Sequence, residues 1–156
     1  MPGYTVATIP THPSTGTALT QIALIHTTTT RVSVNTVIIG PGPAAPVEQA
    51  TDFALKRFTY TTTPAGTAVT PASNEGLASG ALATSQQGTM TEGNLTKTAA
   101  RLLSIGLHAR ANYQWYAYPG RERKSIIPAS NSAGILLESV AASAAYQVTA
   151  SLEYEE

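Results

Sequence analysis

The sequence predicts an all-β fold, an antiparallel β-sandwich or jelly roll of about eight strands with one long Gly/Ser/Thr/Ala-rich excursion, and three observations predict it. Threonine is present at 24 of 156 positions, and its branched Cβ and hydroxyl suit a pleated surface better than a helix. Short stretches of period-two alternation recur between Gly, Pro and Asn clusters, the spacing of strands and turns. There is also no βαβ rhythm and no fixed internal repeat.

Length makes residues 1–156 one domain, with residues 63–94 as a long loop or arm. The first strand falls in residues 4–9 and runs into the turn cluster Pro10, His12, Pro13 and Gly16. Residues 17–25 set Leu19 and Ala23 against Ile22 and Leu24, apolar on both faces, as in a strand covered on both sides. Residues 31–39 alternate with Val32, Val34, Thr36 and Ile38 on one face. Three prolines in residues 41–46 then remove three backbone donors and end the pairing. Residues 47–60 resume an extended pattern, closing on Phe58-Thr59-Tyr60.

From residue 63 to residue 94 the bulky apolar side chains are Val69, Leu77, Leu82 and Met90, too few to pack a layer of their own. This stretch and residues 1–14 are expected to become ordered on assembly. Residues 95–107 fit a helix as well as a strand. Residues 111–120, A-N-Y-Q-W-Y-A-Y-P-G, read as a strand ending in a Pro-Gly turn, and they make Tyr113 and Trp115 the expected centre of the core. Residues 125–128 and 135–138 give two short strands around a turn cluster. The chain closes on its cleanest alternation, which places Tyr146, Val148, Leu152 and Tyr154 on the buried face.

Composition excludes more than it selects. Charged residues make up 12% of the chain and balance to zero, so neither nucleic acid nor a membrane is an expected partner, since both call for clustered Lys and Arg. A thinly charged surface also resists association poorly, which favours a homo-oligomer. With no cysteine and three scattered histidines, His12, His26 and His108, no metal site or cofactor is expected. No nucleophile elbow accompanies the single aspartate, Asp52, and no enzyme activity is expected. Among possible carboxylate pairs drawn from Glu48, Asp52, Glu122 and Glu138, the simpler reading of Glu48 and Asp52 is a solvated face or pairing with Lys56 and Arg57. The basic turn Arg121-Glu122-Arg123-Lys124 is either solvated or a docking loop for an acidic patch, and Tyr116 and Tyr118 beside it are candidate interface side chains. No basic leader precedes an apolar run, and the chain is expected to be made and used without passing a secretion channel.

Three stretches carry a resemblance: P-A-A-P-V-E-Q-A at residues 43–50, G-L-H-A-R-A-N-Y-Q-W-Y-A-Y-P-G-R-E at residues 106–122, and I-P-A-S-N-S-A-G-I at residues 127–135. Together they resemble small tailed-phage virion proteins of the jelly-roll head decoration or cement type. The resemblance implies a structural protein on the virion capsid surface, made in the host cytoplasm, that binds the major capsid protein and stabilises the shell. Two alternatives stand beside it: a head-fibre or tail-associated component, and a glycan-binding β-sandwich module that would need Trp115, Tyr116 or Tyr118 exposed.

Overall fold

The structure, a computed structural model, describes residues 3–8, 18–26, 32–42, 50–76, 84–87, 90, 92–108, 110–117, 125–127, 132–139 and 147–156. The described residues form twelve strands: β1 (Gly3–Ala7), β2 (Leu19–His26), β3 (Val32–Pro41), β4 (Ala50–Tyr60), β5 (Thr67–Val69), β6 (Ala72–Ser73), β7 (Thr84–Gln87), β8 (Leu95–His108), β9 (Tyr113–Tyr116), β10 (Ser125–Ile127), β11 (Ala133–Ser139) and β12 (Val148–Glu155). A single 3-10 turn, Glu92–Asn94, precedes β8, and no α-helix occurs among the described residues.

The strands build two antiparallel six-stranded sheets packed as a β-sandwich. The first runs β10-β3-β12-β1-β6, with β9 sharing the β10 edge of β3: β10 lies opposite residues 32–34 and β9 opposite residues 36–39. The second runs β5-β7-β2-β11-β4-β8. Pairing is nested, β1 with β12, β2 with β11, β3 with β12 and β4 with β11, so the closing strands thread the centres of both sheets. The expected eight strands are the main body, with β9 and β10 sharing one position; β5, β6 and β7 come from the excursion.

Inward-facing side chains of both sheets make the principal core. Tyr4 and Val6, Ile22 and Leu24, Val37 and Ile39, Phe53 and Leu55, Ile135 and Leu137, and Val148, Leu152 and Tyr154 are all buried in it. Tyr4 and Tyr154 stack at its heart, with ring centroids 5.6 Å apart. Burial, reinforced by the neighbouring Glu156 and Tyr4, raises the Tyr154 phenol well above its ordinary value, and its hydroxyl has no hydrogen-bond partner among the described residues. Val148 and Leu152 lie where the alternation puts them, and Tyr146 is outside the described residues.

Four expectations are corrected. Tyr113 and Trp115 are not the centre of the core but pack, half-buried, against its rim, because β9 is a four-residue strand on the outer edge of the first sheet. In β3 the core-facing set is Val32 and Val34, then Val37 and Ile39, while Thr36, although buried, and the half-buried Ile38 lie on the other face. The β12 register steps from Tyr154 opposite Val34 to Glu153 opposite Thr36, which makes Asn35 an extra residue and moves the later side chains to the other face. Thr36 instead donates its hydroxyl to Glu153 Oε2 at 2.9 Å, and the Asn35 carbonyl accepts from the Ala117 N–H at 2.7 Å. Residues 95–108, for which helix and strand both stood open, form one long edge strand. The described parts of residues 63–94 are not a free arm: β7 pairs with β2, β5 with β7, and β6 with β1. Nor is the described start of the chain free, since β1 is held between β12 and β6.

Candidate interaction surface

The strands of the excursion extend the two sheets at their edges, while Met90 and the 3-10 turn after it lie on the outer face of the second sheet. Alternation along β2, β4 and β11 gives that face Ala23, Ile25, Phe58, Tyr60 and Leu136, an apolar patch that water would otherwise cover. Met90 closes over it and is buried, with Leu95 packed at the side, and Phe58 and Tyr60 rings lie 6.1 Å apart beneath. The result is a second, smaller core on the outside of the sandwich.

Four charges fasten this cover. The Glu138 side chain on β11 is only 2% exposed and bonds Lys56 of β4 through Oε1 and Lys97 of β8 through Oε2, the latter at 2.9 Å. Lys97 also reaches Glu92 Oε2 at 2.7 Å, while Glu92 Oε1 accepts the Thr20 N–H at 2.7 Å. Two cations and two carboxylates therefore bind three strands and the 3-10 turn of the excursion into one neutral cluster. Asp52 is exposed, in keeping with the solvated-face reading, and Lys56 pairs with Glu138; Glu48 and Glu122 lie outside the described residues.

Burial alone would raise the Glu138 pKa, but the hydrogen bonds and charges of Lys56 and Lys97 outweigh it and hold the carboxyl below its ordinary 4.5. Burial likewise opposes the Lys97 charge, yet hydrogen bonds to Glu92 and Glu138, with their charges, lift it above its ordinary 10.5. A depressed carboxyl stabilises the fold above its unfolded pKa and ceases to as pH falls through the folded one; a raised ammonium stabilises below its unfolded pKa and ceases to as pH rises through the folded one. The cluster's contribution is therefore expected to be level between about pH 5 and about pH 10 and to fall on both sides. Urea midpoints measured across that range should show the plateau. The Glu138→Gln variant should be lower on the plateau and lose less than the parent on the acid side.

Among the described residues nothing covers the outer face of the first sheet. That face carries the exposed Gln114 and Tyr116 of β9 and the half-buried Thr5 of β1, Ile38 of β3, and Thr149, Ser151 and Glu153 of β12, with Thr36 buried among them. Tyr116 is 60% exposed, the most exposed large apolar side chain among the described residues. A shallow depression of about 160 Å³ opens between Ala7, Thr8, Ile38, Thr149, Ala150 and Ser151, with hydroxyls on its walls and no ionisable group. Such a surface can make hydrogen bonds and apolar contact over an area, and Glu153, the carboxylate among its named residues, accepts from the Thr36 hydroxyl at 2.9 Å. Among the described residues no group of His, Cys, Asp or Glu could hold a metal ion, and no helix is long and apolar enough to cross a membrane.

Of the interface residues expected from sequence, Tyr116 is on this open face, while Tyr118, Arg121, Arg123 and Lys124 lie outside the described residues. The ion cluster was missed because its members, at 56, 92, 97 and 138, have no common spacing. One signal did exist: in a chain with 12% charged residues, Lys56 and Glu138 interrupt otherwise apolar runs at A-L-K-R-F and I-L-L-E-S. No family model, curated protein or solved structure matches the chain.

Proposed function

We propose that this chain is a structural virion protein that binds the capsid surface through the major capsid protein and stabilises the shell as a decoration or cement protein. The single observation that carries the reading is the open outer face of the first sheet, broad, hydroxyl-rich and thinly charged, with Tyr116 standing out from it. A face of this kind suits adhesion by area and shape, with Tyr as a rigid amphipathic anchor. The nested strand pairing supports the finer reading of the sandwich as a jelly roll, in which first and last strands pair and the second pairs with the next to last. The resemblance in residues 43–50, 106–122 and 127–135 points the same way.

The test is co-sedimentation with purified shells lacking the protein. Saturable, stoichiometric binding that raises the shells' thermal stability is expected, and Tyr116→Ala should weaken it by about tenfold or more, the effect of a central tyrosine anchor. Shells that neither retain the protein nor gain stability would overturn the reading. The glycan-binding alternative draws on the same exposed Tyr116, and retention on a glycan array without shell binding would favour it. A head-fibre or tail-associated component would instead be present in few copies per particle.

A further inference from the structure

The long strand β8 ends the second sheet with one edge unpaired among the described residues, and this is unlike the other edges of the sandwich. β5, β6, β9 and β10 are three, two, four and three residues long, short enough to discourage pairing with another chain. β8 has 14 residues. Its first half is protected: between the pairs Leu55 with Leu103 and Phe58 with Lys97, β8 advances six residues where β4 advances three, so the strand bulges at Leu102 and again over residues 98–100, on either side of the Arg101–Lys56 pair and next to Lys97. Its second half, residues 103–108, is regular, keeps a constant register with β4, and contains no proline, acidic residue, Lys or Arg.

We infer that residues 102–108 are a homodimerisation edge, at which β8 of a second copy of this chain pairs antiparallel about a two-fold axis through Ile105. The occupant is argued from the sequence of the edge itself. Leu102-Leu103-Ser104-Ile105-Gly106-Leu107-His108 reads nearly the same in both directions. About Ile105, Leu103 falls opposite the second copy's Leu107 and Ser104 opposite its Gly106, while Ile105 meets itself. Leu103, Ile105 and Leu107 point into the sandwich, where Ile105 and Leu107 are buried and Leu103 half-buried, and Ser104 and Gly106 are exposed on the other face. The two-fold thus keeps apolar against apolar on the core side and small against small outside, joining two six-stranded sheets into one. It also sets Arg101 opposite position 109 and Leu102, 37% exposed, opposite His108, so no like charges meet. Moving the two-fold to Ser104 would bring Arg101 against Leu107 and lose this match.

The pairing is independent of the virion reading, and the isolated chain decides it whatever shells do. Light scattering on a dilution series should give twice the 16.2 kDa chain mass at high concentration, falling twofold on dilution. Backbone amides of residues 103–107 should exchange more slowly in the concentrated sample. Ser104→Lys with Gly106→Lys places lysine against lysine twice across the axis and should hold the mass at 16.2 kDa throughout. Ser104→Glu with Gly106→Lys places glutamate against lysine and should keep the dimer. A side chain at 106 is accommodated, since its Cβ would sit 3.6 Å from Asp52 Oδ1, and thermal melts check that both variants fold. A parent chain monomeric at every concentration, or two double variants with the same mass, would overturn the inference.

Discussion

Replacing Glu138 by Gln is expected to lower stability by about 3 kcal/mol, or roughly 6–12 °C in Tm for a domain of this size. The cost arises less from the lost carboxylate than from what it leaves behind. Lys56 and Lys97, with side chains 16% and 19% exposed, would face an uncharged amide across a small apolar core. Their partial exposure places the cost at the low end for breaking a buried ion pair. Removing one orphan cation as well separates this account from simple loss of packing. Glu138→Gln with Lys56→Met should recover more than half of the deficit, since Lys97 keeps Glu92 at 2.7 Å. Chemical denaturation of the parent and the two variants measures both effects. A single variant within 0.5 kcal/mol of the parent, or no recovery in the double variant, would remove the cluster as the fastening of the excursion.

The same cluster shows where sequence reasoning succeeds and where it stops. Period-two alternation is a local property, so β12 was legible to the residue, with Val148, Leu152 and Tyr154 all buried as placed. One inserted residue defeats the same logic in β3: nothing in V-S-V-N-T-V-I-I marks Asn35 as a bulge, because what selects it is the register demanded by β12. Aromatic size misled in a different way. Tyr113 and Trp115 dominate residues 111–120, but a core shared by many strands fills with Val, Ile and Leu, and its ring pair, Tyr4 with Tyr154, comes from opposite ends of the chain. The excursion was unreadable because strands of two to four residues carry at most two periods of the strand pattern. Its packing is decided by an apolar patch on another element, visible only after β2, β4 and β11 lie side by side. The open face was half legible: Tyr116 could be placed on the second face of its strand, but its exposure depended on β9 being at an edge.

Gly134→Ala is expected to cost about 3 kcal/mol or more, a large loss for one methyl group. Gly134 lies near the start of β11, between Ile25 of β2 and Phe58 of β4, and its φ is not in the left-handed region, so conformational freedom is not the reason for glycine here. Space is the reason. A Cβ would collide with the Leu24 carbonyl oxygen and would sit 2.5 Å and 2.6 Å from Phe58 Cζ and Cε1. The ring is buried against Tyr60 and Leu136 and has little room to turn, and the carbonyl belongs to the backbone of a central strand, so relief requires β2 and β11 to shift. Shrinking the ring should help only in part: Gly134→Ala with Phe58→Leu removes one collision and leaves the carbonyl. Gly106→Ala is the contrasting case, since its Cβ meets nothing closer than 3.6 Å; by restricting the unfolded chain it should be neutral or stabilising by up to about 1 kcal/mol. Urea midpoints that place the two glycine variants within 0.5 kcal/mol of each other would show that close approach at Gly134 does not limit the packing of β11. The expected gap of at least 3 kcal/mol would identify the close approach of the Leu24 carbonyl and the Phe58 ring to Gly134 as the point where β11 is keyed between its neighbouring strands.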